Sequence, residues 1–497
     1  MGLPIERAEF RDEEYARFAE RLRENLAALK ELLTRERFGQ GRPSLGAELE
    51  MSMVSAELGP LPINQKVLAD TADPRFTVEL NRYNLECNTL PTALAGAPFS
   101  SLGKQLDECL TRLRAIARRH GGRIALTGIL PTLTRADLES SAMTNLPRFR
   151  ALSNGIRRLR KKPFHVRIGG EDPLDIHVDD VTYEGANTSL QIHLRVQPGD
   201  FTAVYNAVQL ATAPALAVAV NSPTFLGHRL WDETRIALFQ QSVDDRPDPH
   251  PAAGVPRVCF GLGWLEHGAL ELFEQSVLLH EPILPVLGDE DPLQIMRAGG
   301  VPRLGELRLH HGTVWRWNRA VYDPAEGGHL RIEMRALPAG PTVADMMGNA
   351  AFLVGLALEL ATGLARNGET APRFPFAAAQ ANFFRAAQCG VDAELLWPAG
   401  QGGRDLTTVR AGELVQRLVP LAARGLETGG VERGEAERLL EIVERRAASG
   451  VTGARWQRER LGLYRGTLPA ASAAVRMFGD YLELSERGAP VGGWDVP

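Results

Sequence analysis

Acidic side chains sit inside segments that otherwise read as buried strands, and this restricts the fold more than any other feature of the chain. In Gly46-Ala47-Glu48-Leu49-Glu50, strand geometry sends positions i and i+2 to one face. Glu48 and Glu50 therefore point together, flanked by Leu45, Leu49, Met51 and Met53. Two like charges side by side in a poor dielectric are costly unless something positive lies between them, and a divalent cation is the simplest remedy. Taken alone, the pattern is also that of a solvated strand face with two harmless glutamates.

Three further segments repeat the theme. Val78 to Thr89 embeds Glu79 and Glu86 among apolar residues, but a spacing of seven sends them to opposite faces of an ideal strand, so they converge only if a bend or bulge intervenes. Asn187 to Val196 alternates cleanly and places Ser189, Gln191, His193 and Arg195 on one face. A lone inward histidine is usually structural; this one has a row of polar companions. His329 to Arg335 puts Arg331, Glu333 and Arg335 opposite Leu330, Ile332 and Met334, a pattern that also suits a structural ion pair. Together these faces supply five carboxylates and an imidazole with arginine nearby. Such a set suits Mg²⁺ or Mn²⁺ bridging nucleotide phosphates while arginine neutralises charge that develops in phosphoryl transfer.

At 497 residues the chain has material for two to four compact units. An amphipathic helix on the outside of the fold is expected over Asp12 to Arg37. Strands are expected over Leu45 to Val54, Phe76 to Thr89, Arg123 to Leu130, Asn187 to Val196 and Leu330 to Ala336. Helices are expected near Ser101 to Arg119, Asp200 to Val220, Asp232 to Ser242 and Val343 to Leu364. Mixed elements thus fill one catalytic unit, residues 1–370. After Pro372-Arg373-Phe374-Pro375 strand signals vanish, and residues 371–497 read as a helical appendage, with Ala436, Leu439, Leu440, Val443 and Ala447 at helical spacing before Gly450.

Composition removes several classes. With 56 Lys+Arg against 61 Asp+Glu the formal charge is −5, which gives no basic field for nucleic acid. Only five of those cations are lysines, so arginine must do most anion handling. Arg157 to Lys162 is the one basic cluster, a solvated face or an anion site. Four separated cysteines without a CxxC pair argue against a zinc knuckle or disulfide framework and fit a reducing cytoplasm. The acidic start (Glu6, Glu9, Asp12) and a longest apolar run, Ala350 to Ala365, broken by Glu359, point away from secretion and from membrane insertion. Gly103-Lys104-Gln105 lacks the spacing and hydroxyl of a Walker A loop, His280-Glu281 is followed by Pro282 and so is no HExxH, and no GxSxG elbow is present.

Five pieces in order carry a resemblance: Gly46 to Glu50, Glu79 to Thr89, Thr188-Ser189-Leu190-Gln191-Ile192-His193, Asn221-Ser222-Pro223 through Trp231-Asp232-Glu233-Thr234-Arg235, and Ile332-Glu333-Met334-Arg335. Over residues 44 to about 360 the chain resembles the glutamate-cysteine ligase and carboxylate-amine ligase family, whose catalytic sheet is similar to that of glutamine synthetase. The resemblance implies an α+β fold with an antiparallel sheet curved into a funnel, ATP at one end, acid and amine at the other, and two or three Mg²⁺ or Mn²⁺ ions between. It implies that Glu48, His193 and Glu333 hold the metal at the ATP phosphates, and that Glu50, Glu79 and Glu86 hold the metal nearer the acid. Arg335, beside Glu333, would stabilise the transferring phosphoryl group, and Arg235 would bind a substrate carboxylate with Gln191 nearby. From their own chemistry, Arg331, Trp315 and Arg316 are candidates to face the nucleotide. The reaction implied is ATP-dependent amide formation through an acyl phosphate, on the γ-carboxyl of glutamate, with small-molecule acid and amine as partners.

Two features depart from an ordinary glutamate-cysteine ligase: His310 to Arg319, rich in aromatic and cationic groups, reads either as a clamp for substrate or adenine or as a packed turn, and Ala336 to Thr342 resembles a divergent ligase-like subgroup. Separately, Thr452-Gly453-Ala454-Arg455-Trp456-Gln457 reads as a helix start packing Trp456 or as a further contact. Rival readings are a guanidino phosphotransferase of related sheet, a non-catalytic binding protein and a metal hydrolase. The oligomeric state is open, a homodimer included.

Overall fold

The computed structural model describes residues 5–247, 254–399 and 405–496. Its strands, in chain order, are β1 (Ser44–Val54), β2 (Phe76–Val78), β3 (Asn84–Asn88), β4 (Thr92–Ala93), β5 (Arg123–Ala125), β6 (Phe164–Ile168), β7 (Leu174–Val178), β8 (Leu190–Val196), β9 (Thr224–Phe225), β10 (His228–Arg229), β11 (Asn318–Asp323), β12 (His329–Met334), β13 (Glu394–Pro398) and β14 (Leu406–Arg410). One curved antiparallel sheet runs β11-β12-β8-β1-β3-β2, with β4 and β5 pairing the two ends of β1. Alternation builds its two faces. Leu45, Ala47, Leu49 and Met51 of β1 are buried on the side that the helix Pro98–Arg119 covers, and Gly46, Glu48 and Glu50 face the other way.

Phe76 to Thr89 is a hairpin, not the single strand its apolar pattern suggests. The polar run Asn81-Arg82-Tyr83 turns the chain, with the Asn81 amide donating to Tyr83 Oη (2.8 Å) and to the Thr182 carbonyl (2.9 Å). The register pairs Thr77 with Glu86 and Val78 with Leu85. Partners across an antiparallel pair share a face, as do residues two apart. Glu79 therefore lies on the face of Thr77 and hence of Glu86: the odd spacing that separates them in one strand unites them across a turn.

The N-terminal helix, Asp12–Leu32, stops short of Arg37 and buries Phe18, Leu22, Leu29 and Leu32. Beyond residue 371 the structure contains a strand pair, β13–β14, where no strand was expected; its five-residue strands, with Leu395 and Val409 buried, are too short for a period-2 signal. The helices around it share one apolar core with the rest of the chain, from Phe18 to Trp494. Val343–Arg366 crosses Ala411–Thr428 so closely that a Cβ on Gly425 would lie 1.9 Å from the Gly355 carbonyl oxygen. Two helices, Phe201–Ala219 and Val343–Arg366, are long and apolar enough to cross a membrane; both are mostly buried inside the fold.

Candidate active site

Three rungs of side chains cross the concave face of the sheet. The first pairs Arg319 with Glu333, Glu333 with His193, and His193 with Gly46. The second sets Gln191, Glu48 and Asn88 side by side, with Arg335 following Glu333 by two. The third joins Glu50 to Glu86 and Glu86 to Thr77, with Ser189 bonded across β1. The hairpin turn places Glu79 at its end.

The two halves of this face differ electrostatically. In the first, His193 Nε2 lies 3.0 Å from Glu48 and 3.8 Å from Glu333, and donor atoms of all three lie within 4.8 Å of one another. Both ring nitrogens of His193 are buried; Nε2 is paired with the Glu48 carboxylate, and among the described residues Nδ1 has no hydrogen-bond partner. Burial would raise the Glu333 carboxyl. Arg319, donating from Nη2 to Oε1 at 3.0 Å, together with Arg335 at 3.3 Å, outweighs this and holds the group far below the usual carboxylate range. Burial likewise opposes the Glu48 charge, and His193 overcomes it, lowering that carboxyl as well.

In the second half the acids face one another. Glu50 accepts from Ser189 N (2.7 Å), Ser189 Oγ (3.0 Å) and Gln191 Nε2 (3.0 Å). Glu86 accepts from Asn88 Nδ2 (2.7 Å) and Thr77 Oγ1 (3.2 Å). Burial with the neighbouring Glu48 and Glu50 pushes Glu86 up to about 8. Burial, then Glu86 and Glu50, pushes Glu79 well above the usual range. Burial raises Glu50 also, against the pull of Arg335. A fourth acid, Glu184, joins them from the turn Val181–Ala186, raised to about 8 by burial and by Glu50.

Arg335 joins the halves. Its Nη1 donates to the Gln191 side-chain oxygen and lies 3.3 Å from Glu333. Burial opposes its charge, yet Glu333, Glu50, Glu48 and Glu184 hold it firmly protonated. Arg235 is anchored beside it. Nε donates to Glu233 Oε1 (3.0 Å), Nη1 and Nη2 donate to the carbonyls of Arg335 and Ala336, and Trp317 lies under the guanidinium at 5.6 Å. Three of its five N–H groups are thus spent on the fold. At the other end of the funnel, Gly46, Glu48, His193, Arg195, His329 and Arg331 line a cavity of about 490 Å³.

The sequence matches glutamate-cysteine ligase family 2 over residues 44–474. The chain belongs to that family. It is accordingly an ATP-dependent ligase that joins a carboxylate to an amine. Among solved structures it is similar to a glutamate-cysteine ligase of Francisella tularensis in complex with AMP, at 12% identity, TM-score 0.51, covering 93% of this chain and 91% of that one. It is also similar to a bifunctional glutathione synthetase of Pasteurella multocida (12%, TM-score 0.44, 92% and 54% covered) and to a glutamine synthase homolog (12%, TM-score 0.32, 92% and 75% covered). No curated protein matches. The ligase's curved antiparallel sheet thus shares its fold with the Francisella tularensis structure.

The residues present in this ligase fit divalent metals. A buried imidazole set between two carboxylates, with donor atoms of all three within 4.8 Å and next to acids that repel one another, is a donor set suited to a divalent cation. Of the residues foreseen from the sequence, the structure brings together Glu48, Glu50, Glu79, Glu86, Gln191, His193, Glu333 and Arg335, with Arg331 at the rim, where it pairs with Asp323 at 2.9 Å. It does not bring Arg316 there. That side chain, 1% exposed, donates to the Leu272 carbonyl (3.0 Å), Ser276 (3.2 Å) and Gln275 (3.1 Å) of the helix Ala269–Leu279, because β11 begins only at Asn318 and Arg316 itself pairs with Cys259 instead. Trp315 packs on Phe239 at 6.0 Å.

Two site residues carry little signal in the sequence. Arg319 shows itself only once β11 is paired with β12, although it closes the cationic segment singled out above. Glu184 lies in a 3₁₀ turn without periodicity; an acid inside the run Val181-Thr182-Tyr183-Glu184-Gly185-Ala186 is the one signal it carries. The stretch Thr452 to Gln457 is a helix start, capped by Thr452 Oγ1 (3.1 Å to Arg455 N) with Trp456 fully buried, and Gln457 Nε2 also reaches Asn221 Oδ1 at 3.0 Å.

Proposed function

We propose that the chain activates a small-molecule carboxylic acid, the γ-carboxyl of glutamate, as an acyl phosphate and transfers the acyl group to an amine. The observation that carries this reading is the divided face: a compact Glu48–His193–Glu333 set beside Glu50, Glu79 and Glu86, joined by a buried Arg335. Glu48, His193 and Glu333 would hold one Mg²⁺ or Mn²⁺ on the nucleotide side, and Glu50, Glu79 and Glu86, with Glu184 beside them, would hold another on the acid side. When bound, such ions neutralise phosphoryl charge and polarise the reacting oxygens.

In the first step a carboxylate oxygen attacks the γ-phosphorus of ATP and the bond to ADP breaks. Arg335 faces the charge that develops on the transferring group, its fork oriented by Gln191 and Glu333. In the second step the amine nitrogen attacks the acyl carbon and inorganic phosphate leaves. Arg235 offers its two remaining N–H groups to a substrate carboxylate, and its anchorage on Glu233 fixes their direction. Arg331 and the adjoining cavity receive the nucleotide. No covalent nucleophile is required, because the phosphoryl group itself supplies the activation. The setting we infer is the reducing cytoplasm, since all four cysteines are free and three of them buried.

The test is ADP release with ATP and Mg²⁺, with glutamate and a panel of amines including cysteine, and products read by mass spectrometry. An amide mass is expected with one acid–amine pair, only when ATP is present, and Glu333→Gln and Arg335→Ala should each abolish it in a folded protein. A phosphorylated guanidine product would make the protein a phosphotransferase. Failure to bind ATP with Mg²⁺ would leave a binding protein in its place.

A further inference from the structure

We propose that the β6–β7 hairpin carries a second metal site, built for a nitrogen-preferring divalent ion of the zinc class and separate from the acid-rich catalytic face. The hairpin alternates strictly: Phe164, Val166, Ile168, Leu174, Ile176 and Val178 are buried, and the strand residues between them face solvent. On the solvent face His165 pairs directly across the strands with His177, two of the chain's 11 histidines. Their imidazoles stack at 4.4 Å between centroids with 7° between planes. Asp175, two residues before His177 and so on the same face, places Oδ1 2.7 Å from His165 Nε2. Ligand atoms of all three lie within 4.8 Å of one another.

This donor set differs in kind from the catalytic one. Two imidazoles and one carboxylate suit Zn²⁺, Ni²⁺, Co²⁺ or Cu²⁺, whereas Mg²⁺ demands oxygen ligands. Bonds of roughly 2.0–2.1 Å around a tetrahedral ion put donors roughly 3.4 Å apart, so modest side-chain rotation closes the site and leaves one position for water. The backbone is already fixed. The buried row locks the strands, and the Arg167 amide donates to Gln241 Oε1 at 2.6 Å, which docks the hairpin on the helix Thr234–Ser242. Among the described residues Arg167, with Nε 3.8 Å from Asp175, is the one arginine or lysine paired with the carboxylate. Because His165, Asp175 and His177 are exposed, an ion reaches them without any opening of the fold.

Calorimetric titration of the full chain with ZnCl₂, in buffer holding saturating Mg²⁺ to occupy the catalytic face, tests the proposal; Co²⁺ with its visible absorption gives the coordination independently. One Zn²⁺ per chain is expected. His177→Ala and Asp175→Asn should each weaken it at least tenfold while the ADP-forming rate measured without zinc stays at the parent value. Glu333→Gln should retain it, which separates this site from the catalytic one. Zinc uptake that is absent under Mg²⁺, unchanged in His177→Ala, or lost in Glu333→Gln would overturn the assignment whatever the reaction turns out to be.

Discussion

Gly453→Ala probes how the C-terminal helices reach the catalytic face. A Cβ at Gly453 would stand 2.1 Å from Asn221 Oδ1, 2.8 Å from its Cγ and 2.9 Å from Pro341 Cγ. Asn221 is fully buried. Its amide donates to the Ala339 carbonyl (2.8 Å), its Oδ1 accepts from Gln457 (3.0 Å), and Tyr481 Oη lies within 2.8 Å. The amide must withdraw, losing two or three hydrogen bonds at about 1 kcal/mol each, and overpacking adds about 1–3 kcal/mol. A total of about 3 to 6 kcal/mol follows. With an unfolding entropy of about 2.1 cal/mol/K per residue, the apparent Tm should drop by roughly 3 to 6 °C. The catalytic effect is separate. Asn221 N donates to Glu233 Oε2 at 2.8 Å, and Glu233 orients Arg235. A displacement near 1 Å there costs on the order of 10²-fold in turnover of the acid. Kinetics well below the Tm should therefore show kcat/KM for the acid lowered while the KM for ATP stays at the parent value. Asn221→Ala combined with Gly453→Ala should cost far less than the sum of the two, since removing the amide makes room for the methyl. A Tm within 1 °C of the parent with unchanged kinetics would refute the coupling.

Arg319→Met should raise the Glu333 carboxyl, move the acid limb of the pH–rate profile upward and lower turnover at least tenfold; a profile unchanged in position would separate Arg319 from the chemistry. Glu86 and Glu184 stand at about 8 in the fold against an ordinary 4.5. The folded metal-free chain therefore binds more protons than the unfolded chain between about pH 4.5 and 8, and its stability should fall as pH rises through that window. Mg²⁺, which needs the ionised forms, should bind about tenfold more tightly per pH unit for each proton released and should reverse that loss; melting with EDTA and with Mg²⁺ at pH 6 and 9 checks both signs. Arg331→Ala should raise the KM for ATP about tenfold with little change for the acid, whereas Arg316→Met should lower the Tm and leave the KM for ATP within twofold.

How much was legible follows from which residues obey a period. β1, β8 and β12 alternate, so Glu48, Glu50, Gln191, His193, Glu333 and Arg335 declare their shared face through parity alone. Glu79 and Glu86 do not, because parity arguments assume one uninterrupted strand, and the Asn81 turn changes the parity. Glu184 lies where no period exists. Arg316 and Arg319 have the same character in sequence, and only the start of β11 at Asn318 decides which enters the site and which enters the core. The C-terminal contact was half legible. Trp456 reads as a buried helix start, but nothing local in Gln457 announces a partner at Asn221, 236 positions away.

The two halves of the concave face differ in charge balance. Glu48 and Glu333 each have a cationic or imidazole neighbour and stay ionised, so that half is close to balanced in the metal-free chain. Glu50, Glu79, Glu86 and Glu184 are all raised by burial, and beside Arg335 few cations oppose their mutual repulsion. Gathering four acids in a desolvated niche works against stability at neutral pH. Apolar substitutions there should therefore raise the Tm of the metal-free chain while destroying Mg²⁺ binding, the inverse of what a structural ion-pair network would show. Arg335 touches both halves, so Arg335→Ala should act twice. It should strip charge from the phosphoryl site and push Glu50 and Glu184 higher still, weakening Mg²⁺ on the acid side at a pH where the Glu48–His193–Glu333 set still binds. Two Mg²⁺ affinities that separate in Arg335→Ala but not in Gln191→Ala would identify Arg335 as the charge shared between two metal sites; affinities that fall together in both variants would make the face a single site.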